Sequence, residues 1–396
     1  MVLKGVLILS IYRLIAKQLC LLGLTGLSWV SIASMAATPN QQLKNVHEAA
    51  PLASGQKHAK HAKHSLSSRA KSKQIVSETG PAFKATPELM ALSQQLSVDN
   101  NLPKDWVTSQ LLRAKSLSKI KHLVLPASLG MKKNWAAYRE RFLGESRIQG
   151  GRDFALRNWS SLEKVQAQYQ VPWEIVVAII GVESFYGKNM GHFKTLDVLT
   201  SLSMDFPKSH PRAKEREAFF RQELGALLTM MHTTQQQHWF SSFAGAMGLP
   251  QFMPSNFQKF AVDLDGDGRI DLNSSEADAI GSVGNYLAKF GWQGGVPTHF
   301  ELDPNFDKTH LEEMLLPDIL PSFTSDQLQK WGLLLSTNAQ SHQGRLALVM
   351  LENGDDEPTY VLGTENFYTI TRYNWSSYYA LAVIELAKEI KSSLGR

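Results

Sequence analysis

The sequence predicts a mainly α-helical protein of the α+β class, with one small β-containing subdomain towards its C-terminal end. Three observations point there. From Phe83 onward, apolar residues recur at three-to-four spacing. One stretch, "PWEIVVAIIGVESFYG" (172–187), is apolar nearly all round, as a buried central helix must be. Residues 297–368 change character, with short runs such as "RLALVMLEN" and "PTYVLG" set between turn residues.

Taken in order, residues 1–36 carry Lys4, Arg13 and Lys17, no acid, and then "LCLLGLTGLSWVSIASMA". A basic start, an apolar middle and small residues at Ser34 and Ala36 form an export signal. An uncleaved membrane anchor is the alternative. The one cysteine, Cys20, lies inside this segment without the small residue that lipidation needs before it. The mature chain would therefore lack disulfides, thiol catalysis and cysteine metal sites. Residues 37–82 are rich in Ala, Ser, Lys and Gln and poor in aromatics, which describes a disordered basic tether. Its "KHAKHAKH" places His58, His61 and His64 at three-residue spacing. That suits a metal- or anion-binding tract, or a solvated linker touching anionic envelope polymers; we take the second.

Charge divides the same way. Ten of the 41 basic residues and two of the 36 acidic ones precede Phe83, leaving 31 against 34, a net −3. The basic balance belongs to the N-terminal segments, so it gives no ground for nucleic-acid binding.

The expected organisation is an N-terminal helical domain (83–160), a catalytic core (161–296), the β-containing subdomain (297–368) and a C-terminal helix returning to the core (369–396). Helical runs are "PELMALSQQLSVDNN", "PKDWVTSQLLRAKSL", "NWAAYRERFL", "DFALRNWSSLEKVQAQYQ", "EREAFFRQELGALLTMMHTT", "EADAIGSVGNYLAKFG" and "SSYYALAVIELAKEIKSSL". Pro172 suits the first turn of the central helix.

That central helix carries one acid near its end, Glu183. Burial there would raise its pKa and suit it to general-acid work. A structural glutamate paired with a cation such as Lys188 fits the periodicity equally well. Glu174 falls in the first helical turn, where the helix dipole favours an exposed acid. A second stretch, "SSFAGAMGLPQFMPSNF" (241–257), holds two glycines and two prolines and little charge. It reads as a rigid packed loop leading into a helix, with Gln251 an amide ahead of that helix and Ser242 one of few hydroxyls. A third, "DLDGDGRIDLNS" (263–274), puts Asp263, Asp265, Asp267 and Asp271 at loop positions 1, 3, 5 and 9, with Gly268 at position 6. This is an EF-hand pattern for Ca²⁺, with position 7, Arg269, offering its carbonyl. Ser274 stands where the closing glutamate belongs. An acidic turn without metal is the alternative.

"GVESFYGKNMG", "GAMGLPQFMPS", "DLDGDGRIDL", "DAIGSVGNYL" and "NFYTITRYNWSSYYALAV" occur in this order. Together they resemble the lytic murein transglycosylase B family, from about Phe83 to the C-terminus. The resemblance implies a lysozyme-like helical core, an extra helical domain and a small β domain. It implies Glu183 as catalytic acid, with Ser242 and Gln251 in support. It also implies substrate contacts from Tyr138, Tyr286, Tyr373, Asn374 and Tyr379, and from Phe219, where the family carries a tyrosine. Closure of a longer Ca²⁺ loop falls on Asp278, with Glu276 as rival.

The implied reaction is cleavage of peptidoglycan between N-acetylmuramic acid and N-acetylglucosamine. Ordinary glycosidases flank the bond with two carboxylates. The family instead uses one acid and the sugar's own C6 hydroxyl, giving a 1,6-anhydro end. The implied partners are glycan strands and wall-synthesis proteins, for a monomer in the periplasm with no organic cofactor. A water-using lysozyme and an inactive wall-binding module are the rivals. No G-x-S-x-G or H-E-x-x-H supports a serine hydrolase or a zinc peptidase.

Overall fold

A computed structural model describes residues 80–125 and 132–395. The export segment and the tether as far as residue 79, with its "KHAKHAKH" run, lie outside the described residues. The last three tether residues do not continue it. Ala82 bridges to Lys115, and Ser116 donates to the Pro81 carbonyl at 3.0 Å. Paired backbone fixes this end of the segment, so the boundary moves upstream of residue 82.

Helix α1 (Pro87–Asp99) starts on Thr86, whose hydroxyl accepts the Leu89 N–H at 3.3 Å, with Pro87 in the first turn. Next come α2 (Lys104–Arg113), α3 (Ile120–Leu123) and α4 (Trp135–Glu140). The run expected as one helix over 153–170 is broken at Asn158 (φ −112°, ψ 18°). It contributes to α5 (Glu145–Arg157) and forms α6 (Trp159–Tyr169). Central helix α7 (Trp173–Ser184) is followed by strand β1 (Phe193–Lys194), α8 (Thr195–Met204) and α9 (Ala213–Thr234). Strand β2 (Phe240–Ser241) pairs antiparallel with β1. Helices α10 (Pro254–Phe260) and α11 (Glu276–Lys289) complete this part.

The β-containing segment is a three-stranded antiparallel sheet in the order β3 (His299–Glu301), β5 (Asp356–Gly363), β4 (Ala347–Asn353). Short helices α12 (Leu311–Leu315), α13 (Ser325–Lys330) and α14 (Thr337–Gln340) flank it. The chain ends with α15 (Glu365–Thr371) and α16 (Ser377–Ser393).

The all-round apolar α7 is buried at Trp173 and from Ile175 to Val182 and again at Ser184. It is enclosed by α5, α6, α11 and α16. Burial of each large aliphatic side chain there stabilises by about 1.5–3 kcal/mol. Leu89, Val107 and Leu111 of the first two helices belong to the same continuous core. Residue 160 therefore marks no break between cores. A second, smaller core, including Leu302, Met314, Leu328, Leu348 and Leu362, lies under the β3–β5–β4 sheet. Among the described residues no helix is long and apolar enough to cross a membrane.

Candidate active site

Glu183 is the penultimate residue of α7 and is half-buried. Three successive left-handed residues stop the helix just beyond it: Phe185 (φ 51°), Tyr186 (φ 56°) and Gly187 (φ 88°). The first two lack glycine's freedom, and such backbone costs of order 1–3 kcal/mol per residue. Packing of Tyr186 offsets that cost. Its hydroxyl donates to the Arg147 carbonyl at 3.0 Å. Its ring fills the space between α5 and α7, where a Cβ at Gly181 or Gly151 would meet its oxygen at 2.5 or 2.6 Å. The end of α7, and with it the acid, is thereby fixed.

The Glu183 Oε1 accepts the Tyr379 hydroxyl at 2.8 Å. Tyr379 is fully buried and its ring stacks on Tyr373 at 6.4 Å and 11°. Tyr373 donates to the Pro250 carbonyl, and Tyr286 to the Arg372 carbonyl, both at 2.6 Å. Burial, and then the negative charge of Glu183, push the Tyr373 and Tyr379 phenols well above their ordinary range. Tyr286 is also raised, mainly by burial. All three remain protonated donors at ordinary pH.

Three of the residues expected to contact substrate are enclosed: Tyr286 is 1% exposed, Tyr373 4% and Tyr379 0%. Their rings lie within an aromatic cluster that includes Phe252, and their hydroxyls donate to protein acceptors. They shape the acid and its neighbouring loop. Tyr138 differs: it is half-buried on α4 against Phe142 and Tyr378. Burial raises its phenol pKa, and the Glu183 charge adds to the rise, which places it within electrostatic reach of the acid. Phe219 sits half-buried on α9, against Phe220 and 5.0 Å below the Arg216 guanidinium. Those contacts do not join it to the Glu183 network.

The 241–257 loop is braced from several sides. The Ser242 N–H donates to the Ala246 carbonyl at 2.8 Å, and the Ser242 Oγ accepts the Ala246 N–H at 3.2 Å. Gly191 (φ 86°) lets the acid's segment cross this turn, since a Cβ there would overlap the Ser241 carbonyl. Gln251 is held left-handed (φ 51°). Its Nε2 donates to the carbonyls of Gly248 (2.8 Å) and Met190 (3.3 Å), tying the loop to the segment after Glu183. Asn374 is fully buried, yet neither its amide nitrogen nor its oxygen has a partner among the described residues. Such orphaned groups cost about 1–3 kcal/mol each.

Glu174 also departs from expectation. Its side chain is 12% exposed and accepts Lys391 Nζ at 2.7 Å, pinning the start of α7 to α16.

In the aspartate loop, carboxylate oxygens of Asp263, Asp265 and Asp278 lie within 4.8 Å of one another. Asp263 accepts the Gly266 and Gly268 N–H groups at 2.6 and 2.8 Å, with Gly268 at φ 85°. Buried Asp278 accepts those of Leu264 and Asp271, both at 2.9 Å. Burial raises the Asp278 pKa, and the charges of Asp265 and Asp263 add to the rise. Three converging acids of this kind suit a hard cation. The rival Glu276 is committed elsewhere, to Arg157 at 2.7 and 2.9 Å and to Asn158. Asp267 stands outside the trio, with its Oδ1 on the Arg269 N–H at 2.8 Å. The Leu272 carbonyl of this loop accepts the Leu249 N–H at 2.8 Å, which couples it to the Gln251 loop.

Sequence reasoning missed Tyr186 and its glycine cradle, and also Arg147, held between the rings of Phe142 (5.0 Å) and Phe185 (4.9 Å). Gly150 and Gly151, paired within a helical run where glycine is costly, were the available signal.

The transglycosylase SLT domain family matches residues 84–388. Membrane-bound lytic murein transglycosylase B of Escherichia coli K12 is 33% identical over 332 residues, covering 80% of this chain and 86% of that one. The E. coli lytic transglycosylase Slt35, solved in complex with calcium, superposes with a TM-score of 0.69 at 32% identity, over 82% of this chain and 99% of that one. SltB3 of Pseudomonas aeruginosa, solved with NAG-anhNAM-pentapeptide, gives 0.63 at 27% identity, over 76% and 78%. The helical body around Glu183 is thus a lysozyme-like lytic transglycosylase fold, and the chain belongs to the transglycosylase SLT domain family.

Proposed function

We propose that this protein is a lytic transglycosylase that cleaves peptidoglycan between N-acetylmuramic acid and N-acetylglucosamine, leaving 1,6-anhydro ends. The observation that carries this is Asn374. An orphaned buried amide is complemented by a group with both a donor and an acceptor, such as a sugar acetamido group, which would reach Asn374 by displacing the side chains that now cover it. Asn374 adjoins Tyr373, whose ring stacks on the tyrosine that holds Glu183.

In this mechanism Glu183 protonates the glycosidic oxygen and the C1–O4 bond breaks. The acetamido group, oriented by Asn374 and Ser242, stabilises the positive sugar centre. Gln251 holds the saccharide near the acid, and Tyr138 offers its partly open ring to a sugar. Glu183 then takes the proton of the C6 hydroxyl as O6 bonds to C1. A tethered nucleophile can be worth an effective concentration of about 10⁵–10⁸ M, which favours it over water. Anhydro ends are one water lighter than hydrolysed ends and have no free anomeric carbon. Digestion in ¹⁸O-water followed by borohydride should give unlabelled, non-reducible muropeptides by mass spectrometry. Labelled, reducible ends would establish a hydrolase instead.

The aspartate loop is proposed to hold a structural Ca²⁺ through Asp263, Asp265 and Asp278, with Asp267 and the Arg269 carbonyl as further ligands after adjustment of the loop. Ca²⁺ bound only to the native state should raise its stability by about 2.7 kcal/mol at a hundredfold excess over Kd. Calcium should raise Tm, and Asp278→Asn should abolish the rise. An unchanged melting curve on chelation would argue that no such site operates. The export segment supports action in the periplasm on glycan strands, and the basic tether supports contact with anionic wall material.

A further inference from the structure

We propose that a basic recess beside the β1–β2 ribbon binds a carboxylate of the peptide arm carried by the glycan strand. This deepens the proposed function and rests on it. The recess lies between α2, β1, α9 and the turn before β2. Arg113, Lys115, Lys194 and His238 line it. Among the described residues, no carboxylate forms an ion pair with the side chain of Arg113, Lys115 or Lys194. The one acid in the lining, Asp197, is 4% exposed and its Oδ1 accepts the Lys115 backbone N–H at 2.9 Å. It is thus partly committed, and the recess keeps a positive excess.

A second observation is independent of charge. Gln110, also in the lining, is 4% exposed. Its side-chain amide makes no hydrogen bond among the described residues, nor is it sealed from solvent. A nearly buried amide opening into a cationic recess is a donor for an incoming anion. Size is compatible with such a ligand. The recess has a volume of about 70 Å³ where one water needs roughly 10–15 Å³, so a carboxylate head and its first bonds fit.

Position favours the substrate's own anion. Strand β1 follows directly from the segment that begins with Glu183, and β2 ends one residue before Ser242. The glycan backbone is uncharged along its acetylated sugars, whereas its peptide arms end in free carboxylates.

The test uses the Arg113→Gln/Lys194→Gln double variant; both side chains are exposed, so folding should survive. Two substrates are compared: strands with intact peptide arms, and strands whose arm carboxylates are amidated. On intact arms KM should rise about tenfold or more, the loss expected for a charge-assisted hydrogen bond, with kcat unchanged. Amidated strands should show no change. An unchanged KM on intact arms, or an equal rise on both substrates, would overturn the proposal. A synthetic peptide arm with free carboxylates, titrated by NMR, reads the recess without cleavage. Wild type should bind it and the double variant should not; equal binding by both also overturns the site. Absence of anhydro ends from wild-type digests would fault the proposed reaction and leave this binding result standing.

Discussion

Glu183→Gln should lower turnover by roughly 10²–10⁴-fold, the range for loss of general acid–base catalysis, while the protein still folds. Glutamine has nearly the same shape and can still accept the Tyr379 hydroxyl, which lies 2.8 Å from Oε1. It cannot deliver a proton to a leaving oxygen or take one from a C6 hydroxyl. The release of anhydro muropeptides and the melting temperature should therefore separate, the first collapsing and the second barely moving. Glu174→Gln is the control on the same helix. It removes an ion pair with Lys391 whose glutamate side chain is 12% exposed. A small drop in Tm and an unchanged kcat are expected there. Near wild-type turnover in Glu183→Gln would remove this residue from the reaction.

Much of this was legible in the sequence, for identifiable reasons. Helix α7 is apolar on every face, and only a helix enclosed by others tolerates that, so the central element and its lone acid stood out. The pair β4 and β5 was visible as two short runs flanking a turn. What periodicity overran were helix ends. The apolar pattern continues through Phe185 and Tyr186, but both adopt left-handed backbone and stop α7 at Ser184. That stop is set partly from afar, because Tyr186 is held by Gly150 and Gly151 of α5, distant in sequence, as well as by Gly181 of α7. Similarly, apolar spacing runs through Asn158, where the chain turns between α5 and α6. The burial of the tyrosines was hidden for a related reason. Motif order places them near the acid, but only tertiary structure shows whether a ring faces solvent or core. Which of Asp278 and Glu276 faces the aspartate loop likewise depends on a remote residue, Arg157, which holds Glu276.

Tyr286→Ala should destabilise the protein by about 3–5 kcal/mol, the cost of removing a large aromatic side chain from a packed core. Typical total stability is only about 5–15 kcal/mol, so the variant should melt far below wild type. Tyr286 is 1% exposed. Its ring centroid lies 4.5 Å from Phe290, 4.7 Å from Tyr373 and 4.9 Å from Phe260. Tyr286→Phe keeps those contacts and leaves the Arg372 carbonyl without its 2.6 Å donor. That should cost about 1–3 kcal/mol, with KM on glycan strands close to wild type. A sugar-stacking tyrosine would behave in the opposite way: alanine would raise KM and leave Tm nearly unchanged, since an exposed ring adds little to the core. Thermal melts of both variants, with KM measured on the fraction still folded, distinguish the two roles. A stable Tyr286→Ala with weakened substrate binding would return this residue to the saccharide site. Collapse of Tyr286→Ala beside a functional Tyr286→Phe would place it in the scaffold that supports Tyr373, the Pro250 carbonyl and the Gln251 loop.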